Sequence, residues 1–255
     1  MFSGPERLLA GWQRMSTWQV MLRVQRDRFD LDVTFSGSEQ PVALIGPNGS
    51  GKTTVLRAIA GALNVRSARI VLGDTILEDT NAGVHVPIEA RRVGYVPQGF
   101  GLFPHLTVLE NVEFGLSTGE SRLQAKERTL RAMRMLTELG CASLAGRPVE
   151  HLSGGEQQRI ALARSLVQEP EFLLLDEPLA ALDVGLRRTL RQFLAERLRM
   201  FGRPSITVTH DVRDVAALGA QIVAIEGGRI VQQGSLASIR EQPASEFLAE
   251  FVGTE

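Results

Sequence analysis

The stretch Gly46-Pro47-Asn48-Gly49-Ser50-Gly51-Lys52-Thr53 decides which fold is predicted for this chain. It fits the pattern G-x-x-x-x-G-K-[ST], the P-loop. The apolar run Val42–Ile45 before it predicts a short buried strand, and residues 54–60 after it predict a helix. Glycines let backbone N–H groups turn around a phosphate, and a helix N-terminus favours negative charge. The sequence therefore predicts a phosphate-binding loop; the alternative is a glycine-rich turn with a chance Lys-Thr pair.

Individual positions of this loop have expected partners. Lys52 is expected to reach the β- and γ-phosphates of a nucleotide, and the Thr53 hydroxyl is expected to bind Mg²⁺. The residues predicted to contact the nucleotide in this segment are Gly46, Pro47, Asn48, Gly49, Ser50, Gly51, Lys52, Thr53 and Thr54.

Bulk properties are those of an ordinary globular protein, since 44% of the 255 residues are hydrophobic and 22% are charged. The net charge of −1 indicates no general polyanion-binding surface, so no nucleic-acid partner is predicted. The single cysteine, Cys141, excludes an internal disulfide and fits a reducing cytosol. No apolar run has the length of a membrane span, and residues 1–21 lack the apolar core of a signal peptide. If the protein works at a membrane, we expect it to do so through a partner.

The rest of the chain alternates strand and helix patterns. Residues 1–20, which include Trp12 and Trp18, are interpreted as an N-terminal extension, more simply a tail than a functional arm. The segments predicted after it are a hairpin at 21–33 joined near 26–28, a hairpin at 69–77, a loop at 78–89, a strand at 92–96, a helical insert at about 100–154, helices at 156–167, 184–200 and 212–218, strands at 172–175 and 205–208, and a terminal strand pair at 221–226 and 229–232. This β–α alternation predicts a mainly parallel sheet covered by helices.

A second motif is a pair of acids. Asp176 and Glu177 come directly after the apolar strand predicted at Phe172-Leu-Leu-Leu175. In the Walker-B role, Asp176 would hold Mg²⁺ and Glu177 would polarise the attacking water. Acids at a strand end are more often solvated surface residues. The P-loop upstream favours the functional interpretation.

The segment Leu152-Ser-Gly-Gly-Glu-Gln-Gln-Arg159 resembles the signature of the ATP-binding cassette (ABC) ATPases. The resemblance implies that Ser153, Gly154 and Gly155 close over the γ-phosphate of ATP bound by a second copy, so that two ATPs lie in a head-to-tail dimer. Physically, these residues begin a helix, which is an anion-binding position. A local interpretation, with Ser153 as N-cap and Glu156 as its capping-box partner, holds as well.

Other family marks occur in the expected order. Tyr95-Val-Pro-Gln98 resembles the Q-loop, and Leu179-Ala-Ala-Leu-Asp183 resembles the D-loop, with alanine where serine or threonine is usual. The resemblance implies that Glu177 is the general base, His210 the γ-phosphate contact and Lys52 a source of positive charge. It assigns Mg²⁺ to Thr53, Gln98 and Asp176, and it places Asp183 at the nucleotide across the dimer. The aromatic residue that usually stacks on adenine is missing, with Phe29, Arg26 and Arg28 as weak candidates.

The resemblance covers residues 21–253 and implies an α/β fold, a P-loop NTPase (RecA-like) core with an antiparallel β subdomain and a helical insert subdomain. It sets the ATPase domain at 21–240 and a C-terminal tail at 241–255 without a regulatory β-domain. Residues 102–111 are similar to the stretch that follows the Q-loop in importer ATPases. Residues 77–98, together with the short first hairpin, look most like the corresponding segments of molybdate-type oxyanion importers. Sulfate, polyamine, iron and sugar importer ATPases share much of this pattern.

These features imply an importer ATPase that uses ATP and Mg²⁺ at the cytoplasmic face of the inner membrane. The expected partners are transmembrane permease subunits, a second copy of the chain and, indirectly, a solute-binding protein. The alternatives are a non-transport ABC ATPase acting as a soluble switch, a binding module without hydrolysis, and an exporter. Intact Glu177, Gln98 and His210 argue against a module without hydrolysis.

Overall fold

A computed structural model describes residues 18–26, 29–116 and 124–253. The strands are β1 (Trp18–Arg26), β2 (Phe29–Gly37), β3 (Val42–Ile45), β4 (Ser67–Leu72), β5 (Thr75–Asp79), β6 (Val84–His85), β7 (Val93–Val96), β8 (Phe172–Asp176), β9 (Ser205–Val208), β10 (Gln221–Glu226) and β11 (Arg229–Gly234). The helices are α1 (Lys52–Ala60), α2 (Val108–Gly115), α3 (Ala125–Glu138), α4 (Gly154–Leu166), α5 (Val184–Phe201), α6 (Val212–Leu218), α7 (Leu236–Glu241) and α8 (Glu246–Gly253). Short 3₁₀ turns lie at Ile88–Ala90, Ala142–Leu144 and Val149–His151.

In the described part of the chain the strands form one sheet in the order β6-β5-β4-β1-β2-β11-β10-β3-β9-β8-β7. The half from β10 to β7 is parallel, and the arm from β6 to β2 is antiparallel. Strands β3 and β8 are buried along their whole length, as expected for parallel strands covered on both faces. The predicted α/β architecture with an antiparallel subdomain and a helical insert is therefore observed.

Two apolar clusters cover the two faces of the sheet. One contains Val55, Leu56 and Ile59 of α1, a helix that packs on β1 and on the parallel strands β7, β8 and β9. The other contains residues of α2 to α6 and the last helix, including Val112 and Ile160. Since β3, β8 and β9 lie between these layers, their carboxyl ends meet at one edge of the parallel half, where loops carry polar residues.

The first strand begins earlier than predicted. Trp18, predicted to lie in the extension 1–20, belongs to β1 and is 1% exposed. Its indole N–H donates to the Ser38 carbonyl at 2.9 Å, and its ring packs on Phe35 and Phe172 with centroid distances of 5.6 and 5.2 Å. One tryptophan ahead of an alternating segment gives no periodic signal, which is why the sequence placed it outside the domain. Trp12 lies outside the described residues.

Two further boundaries are corrected. Within 78–89, predicted as a loop, Glu78 and Asp79 are buried strand residues of β5, because each carboxylate pairs with an arginine. Residues 235–255 are predicted as a short helix and a tail that begins at 241; the structure has helix α7 at the start of this segment, and a second helix, α8, which buries Leu248 and Phe251 in the second apolar cluster. The described part of that segment therefore packs on the domain.

Among the residues that the structure describes, no helix is both long and apolar enough to cross a membrane.

Candidate functional site

The P-loop joins the end of β3 to the start of α1, as predicted. Lys52 is 7% exposed, and its ammonium donates to the carbonyls of Gly46 and Pro47, each at 2.8 Å. An ammonium has three N–H donors, so one remains for a ligand. Burial lowers the pKa of Lys52, while the nearby Glu177 and Asp176 carboxylates oppose that shift. The side chain is therefore a buried cation at the loop.

Two glycines of this loop are required by space and backbone conformation. A Cβ on Gly46 would lie 2.0 Å from the Ile225 carbonyl oxygen. Gly51 has φ +104°, and a Cβ there would meet Phe29 and Leu31 at 2.9 and 2.8 Å. Gly51 is also the N-cap of α1 and offers no side chain to the first-turn N–H groups, which are thus left for an outside acceptor.

Of the three candidates for stacking on a nucleobase, the structure describes the side chain of one, Phe29. The Phe29 ring lies against Gly51 of the P-loop. Arg28 and the side chain of Arg26 lie outside what the structure describes.

Asp176 ends β8 beside the P-loop. It is 2% exposed, the Thr53 side chain hydrogen-bonds to it, and its Oδ2 has no hydrogen-bond partner among the described residues. Burial raises the pKa of Asp176, and Glu177 adds to that shift, while Thr53, Lys52 and His210 oppose it. The buried hydroxyl of Ser50 in the P-loop also has no partner among the described residues. An unpaired buried carboxylate oxygen in a residue that also contacts the Thr53 hydroxyl suits a hard cation such as Mg²⁺.

Glu177 lies at the centre of the site. Its backbone has φ +53°, a conformation that non-glycine residues rarely adopt, and its N–H donates to Val208 at 3.1 Å. Its Oε1 lies 2.7 Å from His210 Nε2, and its Oε2 accepts from Gln98 Nε2 at 3.2 Å. The bond from His210 requires the hydrogen to be on Nε2. The carboxylate of this strained residue thus contacts two other predicted site residues.

The predicted site residues fall into two groups. The P-loop, Asp176, Glu177, Gln98 and His210 lie together. The second group consists of Ser153, Gly154, Gly155 and Asp183.

The second group is formed by the start of α4 and by the D-loop. A Cβ built on Gly154 meets Ala181 at 3.8 Å, and one on Gly155 meets Leu182 at 3.2 Å. Asp183 accepts from the Leu186 N–H at 2.9 Å and caps α5. The structure therefore shows the signature segment against its own D-loop.

Sequence reasoning missed two contacts. Gln158 is buried and donates to the Glu177 carbonyl at 3.1 Å, which links the signature helix to the central acid. It lies inside the quoted signature, which is the signal that could have found it. Arg191 contacts both acids beside His210, and it belongs to no motif in the sequence.

Comparisons with known proteins agree with this geometry. The family model for the ABC transporter domain matches residues 30–180. The molybdenum import ATP-binding protein ModC of Mycobacterium tuberculosis is 39% identical over 246 residues, which cover 94% of this chain and 65% of that protein. The spermidine/putrescine import ATP-binding protein PotA of Escherichia coli K12 is 43% identical over 223 residues, which cover 88% of this chain and 57% of that protein. The chain thus spans less than two thirds of the length of these relatives.

Solved structures give the same result. A dimeric structure of the ATP-binding cassette MJ0796, in a post-hydrolysis state bound to ADP and Pi, aligns with a TM-score of 0.74 at 26% identity. The alignment covers 86% of this chain and 98% of that one.

Proposed function

Because this chain belongs to the ABC transporter family, as its sequence predicted, we propose that it is an ATP-hydrolysing subunit that powers solute import through a membrane permease. The observation that carries the ATPase part is the Glu177 carboxylate, which is shared by His210 and Gln98 beside the P-loop.

The P-loop would bind the phosphates of ATP. The uncapped N–H groups at the start of α1 and the third N–H of Lys52 are the donors for phosphate oxygens. These donors act by position and charge, which is how phosphoryl transfer is catalysed in P-loop enzymes.

The residues also fit Mg²⁺. Thr53, Asp176 and Gln98 would hold the ion, since Asp176 has a buried oxygen without a partner among the described residues and a raised pKa that a cation would offset. When bound, Mg²⁺ supplies positive charge to the phosphate oxygens.

Glu177 is proposed as the general base, which accepts the proton of the attacking water. Gln98 and His210 each hydrogen-bond to a different oxygen of this carboxylate, so the carboxylate is held in place before water arrives. His210, which lies next to this base, is proposed as the contact to the γ-phosphate when ATP is bound.

The signature segment is proposed to act on the ATP of a second copy. Its contacts with its own D-loop support this assignment, as does the dimeric state of the MJ0796 cassette. In this arrangement Ser153, Gly154, Gly155 and Asp183 of each copy complete the site of the other, and ATP favours the closed dimer.

The transport part rests on the relatives, both of which are named import ATP-binding proteins. We propose permease subunits as partners, a solute-binding protein as an indirect partner, and a peripheral position on the cytoplasmic face of the inner membrane. Molybdate or a related oxyanion is the first solute to test, because ModC aligns over 94% of the chain. A polyamine is the second candidate, because PotA is 43% identical.

The first experiment compares wild type, Glu177→Gln and Glu171→Gln in Mg-ATP hydrolysis and in a monomer–dimer titration. Glu171 is an exposed acid just before β8 and serves as the control. We expect Glu177→Gln to lose hydrolysis by about 10²–10³-fold and to accumulate as an ATP-bound dimer, with Glu171→Gln unchanged. Full activity in Glu177→Gln would remove Glu177 from the proposed role.

The second experiment captures tagged Glu177→Gln from native membranes with Mg-ATP. Co-purification of a multi-span permease supports transport, and its companion binding protein is then titrated with molybdate, tungstate, sulfate and spermidine. Recovery of ribosomal or DNA-associated proteins without a permease would favour the soluble switch.

A further inference from the structure

His210 owes its position to the backbone around it. Its side chain is 42% exposed, so packing does not hold the ring. The neighbouring Thr209 is buried, accepts from the Asp211 N–H at 3.1 Å and donates to Asp214 Oδ2 at 2.6 Å. Asp211 in turn caps α6 through the Arg213 N–H. The loop that carries His210 is therefore anchored through Asp211 and Asp214.

A single arginine from another helix contacts both of these acids. Arg191 of α5 places Nε 2.6 Å from Asp214 Oδ1 and Nη2 2.9 Å from Asp211 Oδ2. The exposed fractions of the three side chains are only 13%, 7% and 17% for Arg191, Asp214 and Asp211. A planar guanidinium can bridge two carboxylates in fixed directions, whereas a lysine ammonium is one point charge.

One turn earlier on the same helix, Arg187 holds the D-loop. Its Nη2 donates to the Ala180 and Leu182 carbonyls at 3.2 and 3.0 Å. Residues four apart lie on the same face of a helix. One face of α5 therefore contacts the D-loop and the His210 loop, on either side of a cavity of about 450 Å³ that reaches Glu177.

We propose that Arg191 is a positioning residue for His210, in that its bridge across Asp211 and Asp214 keeps His210 Nε2 within hydrogen-bond distance of Glu177. The inference rests on the proposed ATPase function. It assigns Arg191 no contact with ATP, and its effect passes through His210.

The chain offers a matched control. Arg213 also pairs with Asp211, with its Nε 2.9 Å from Oδ1, but it is 62% exposed and reaches only one of the two acids. An exposed pair of this kind contributes little. Removing Arg213 takes one cation from Asp211 and leaves the bridge intact.

The test is a mutant cycle in Mg-ATP hydrolysis with Arg191→Ala, His210→Ala, the double variant, Arg191→Lys and Arg213→Ala. We expect Arg191→Ala to lower kcat about ten- to hundredfold, because a small misplacement of an acting group is costly. The Kd for ATP is expected to stay within about threefold, since the P-loop is untouched. Arg191→Lys is expected to restore little, and Arg213→Ala to keep kcat within about twofold.

The double variant is the decisive member. If Arg191 acts through His210, Arg191→Ala/His210→Ala is no slower than His210→Ala alone. Multiplying effects, or wild-type kcat in Arg191→Ala, would overturn the proposal. Should Arg191→Ala fail to fold, Asp214→Asn weakens the same bridge and enters the same cycle. Failure of the proposed function gives a different result, since wild type itself would then not hydrolyse ATP.

Discussion

Two glycine-containing helix starts in this protein look alike in sequence and differ in structure. At the P-loop, Gly51 caps α1 without a side-chain bond, and the first turn has no acidic residue. At the signature, Ser153 caps α4 and Glu156 returns the bond, with the Ser153 N–H and hydroxyl each 2.8 Å from Glu156 Oε2. The first helix leaves its donors for an outside anion, whereas the second satisfies part of its donors internally.

The start of α2 shows that the capping box of the signature helix also occurs elsewhere in this protein. Thr107 and Glu110 at α2 form the same capping box, with the same distances of 2.8, 2.8 and 3.3 Å. Only the P-loop adds a buried lysine and an unpaired carboxylate oxygen, among the described residues. Among the described residues, the P-loop start therefore combines free helix donors with a buried lysine, whereas the signature start binds part of its own donors.

The largest expected effect is at the P-loop. Lys52→Ala removes the buried cation, and we expect ATP hydrolysis to fall by about 10²–10³-fold and ATP affinity to weaken. The matched control is Lys126→Ala, which removes the other lysine of the sequence, an exposed one at α3. Fluorescent nucleotide binding and phosphate release measure both. Unchanged ATP affinity in Lys52→Ala would mean that the P-loop start is not the phosphate site, and the comparison between the helix starts would fail.

At the other end of α1, Arg91 and Glu78 form a buried pair, called the clamp below. Arg91 is fully buried, donates to the Ala58 and Ile59 carbonyls at 3.0 Å each, and pairs with Glu78. Arg91→Ala removes the buried arginine that pairs with Glu78, which keeps only His85 as a partner among the described residues, and it removes the hydrogen bonds to the two helix carbonyls. We therefore expect a loss of about 3–5 kcal/mol in the free energy of unfolding. Urea unfolding measures it.

The neighbouring Arg92 is the control, because its pair with Glu171 at 2.7 Å is exposed. Arg92→Ala is expected to cost less than about 1 kcal/mol. If Arg91→Ala does not fold, Glu78→Gln tests the same clamp with a milder change. Equal losses for Arg91→Ala and Arg92→Ala would mean that burial adds nothing to the clamp.

Motif residues were predictable because their chemistry requires fixed types at fixed spacing. The P-loop, Asp176, Glu177, Gln98 and His210 are brought together by parallel strands that end at one edge, which the β–α alternation implies. The alternation also predicted the parallel half of the sheet, whereas the antiparallel subdomain was implied by the resemblance of the motifs to the ABC ATPases.

Residues defined by pairing across the fold were not predictable. Glu78 and Arg91 are thirteen positions apart and read as solvated surface charges, yet both are buried because they neutralise each other. Arg191 has two acidic partners 20 and 23 positions away, and no local pattern records them. Trp18 is part of the core through contacts with strands far along the chain.

A smaller effect separates the two capping boxes. Ser153→Ala and Thr107→Ala each remove one cap, so both are expected to lose about 1 kcal/mol of stability. Only Ser153→Ala is expected to slow hydrolysis, by about tenfold or more, since in the proposed dimer it would also lose a hydrogen bond to a charged phosphate bound by the second copy. Rates per folded protein, with folding followed by circular dichroism, give the answer. Equal rates in the two variants would reduce the signature serine to a cap.

The smallest effect is the pH dependence of the two boxes. The Ser153 side chain and N–H lower the pKa of Glu156, and the Thr107 N–H and side chain lower that of Glu110. A carboxylate with a lowered pKa stabilises the fold fully above its unfolded value of 4.5 and loses this contribution as pH falls through the folded pKa. The stability gap between wild type and Ser153→Ala or Thr107→Ala is therefore expected to shrink below about pH 4.5 in urea titrations. A gap that stays constant down to pH 3 would show that neither cap depends on its glutamate.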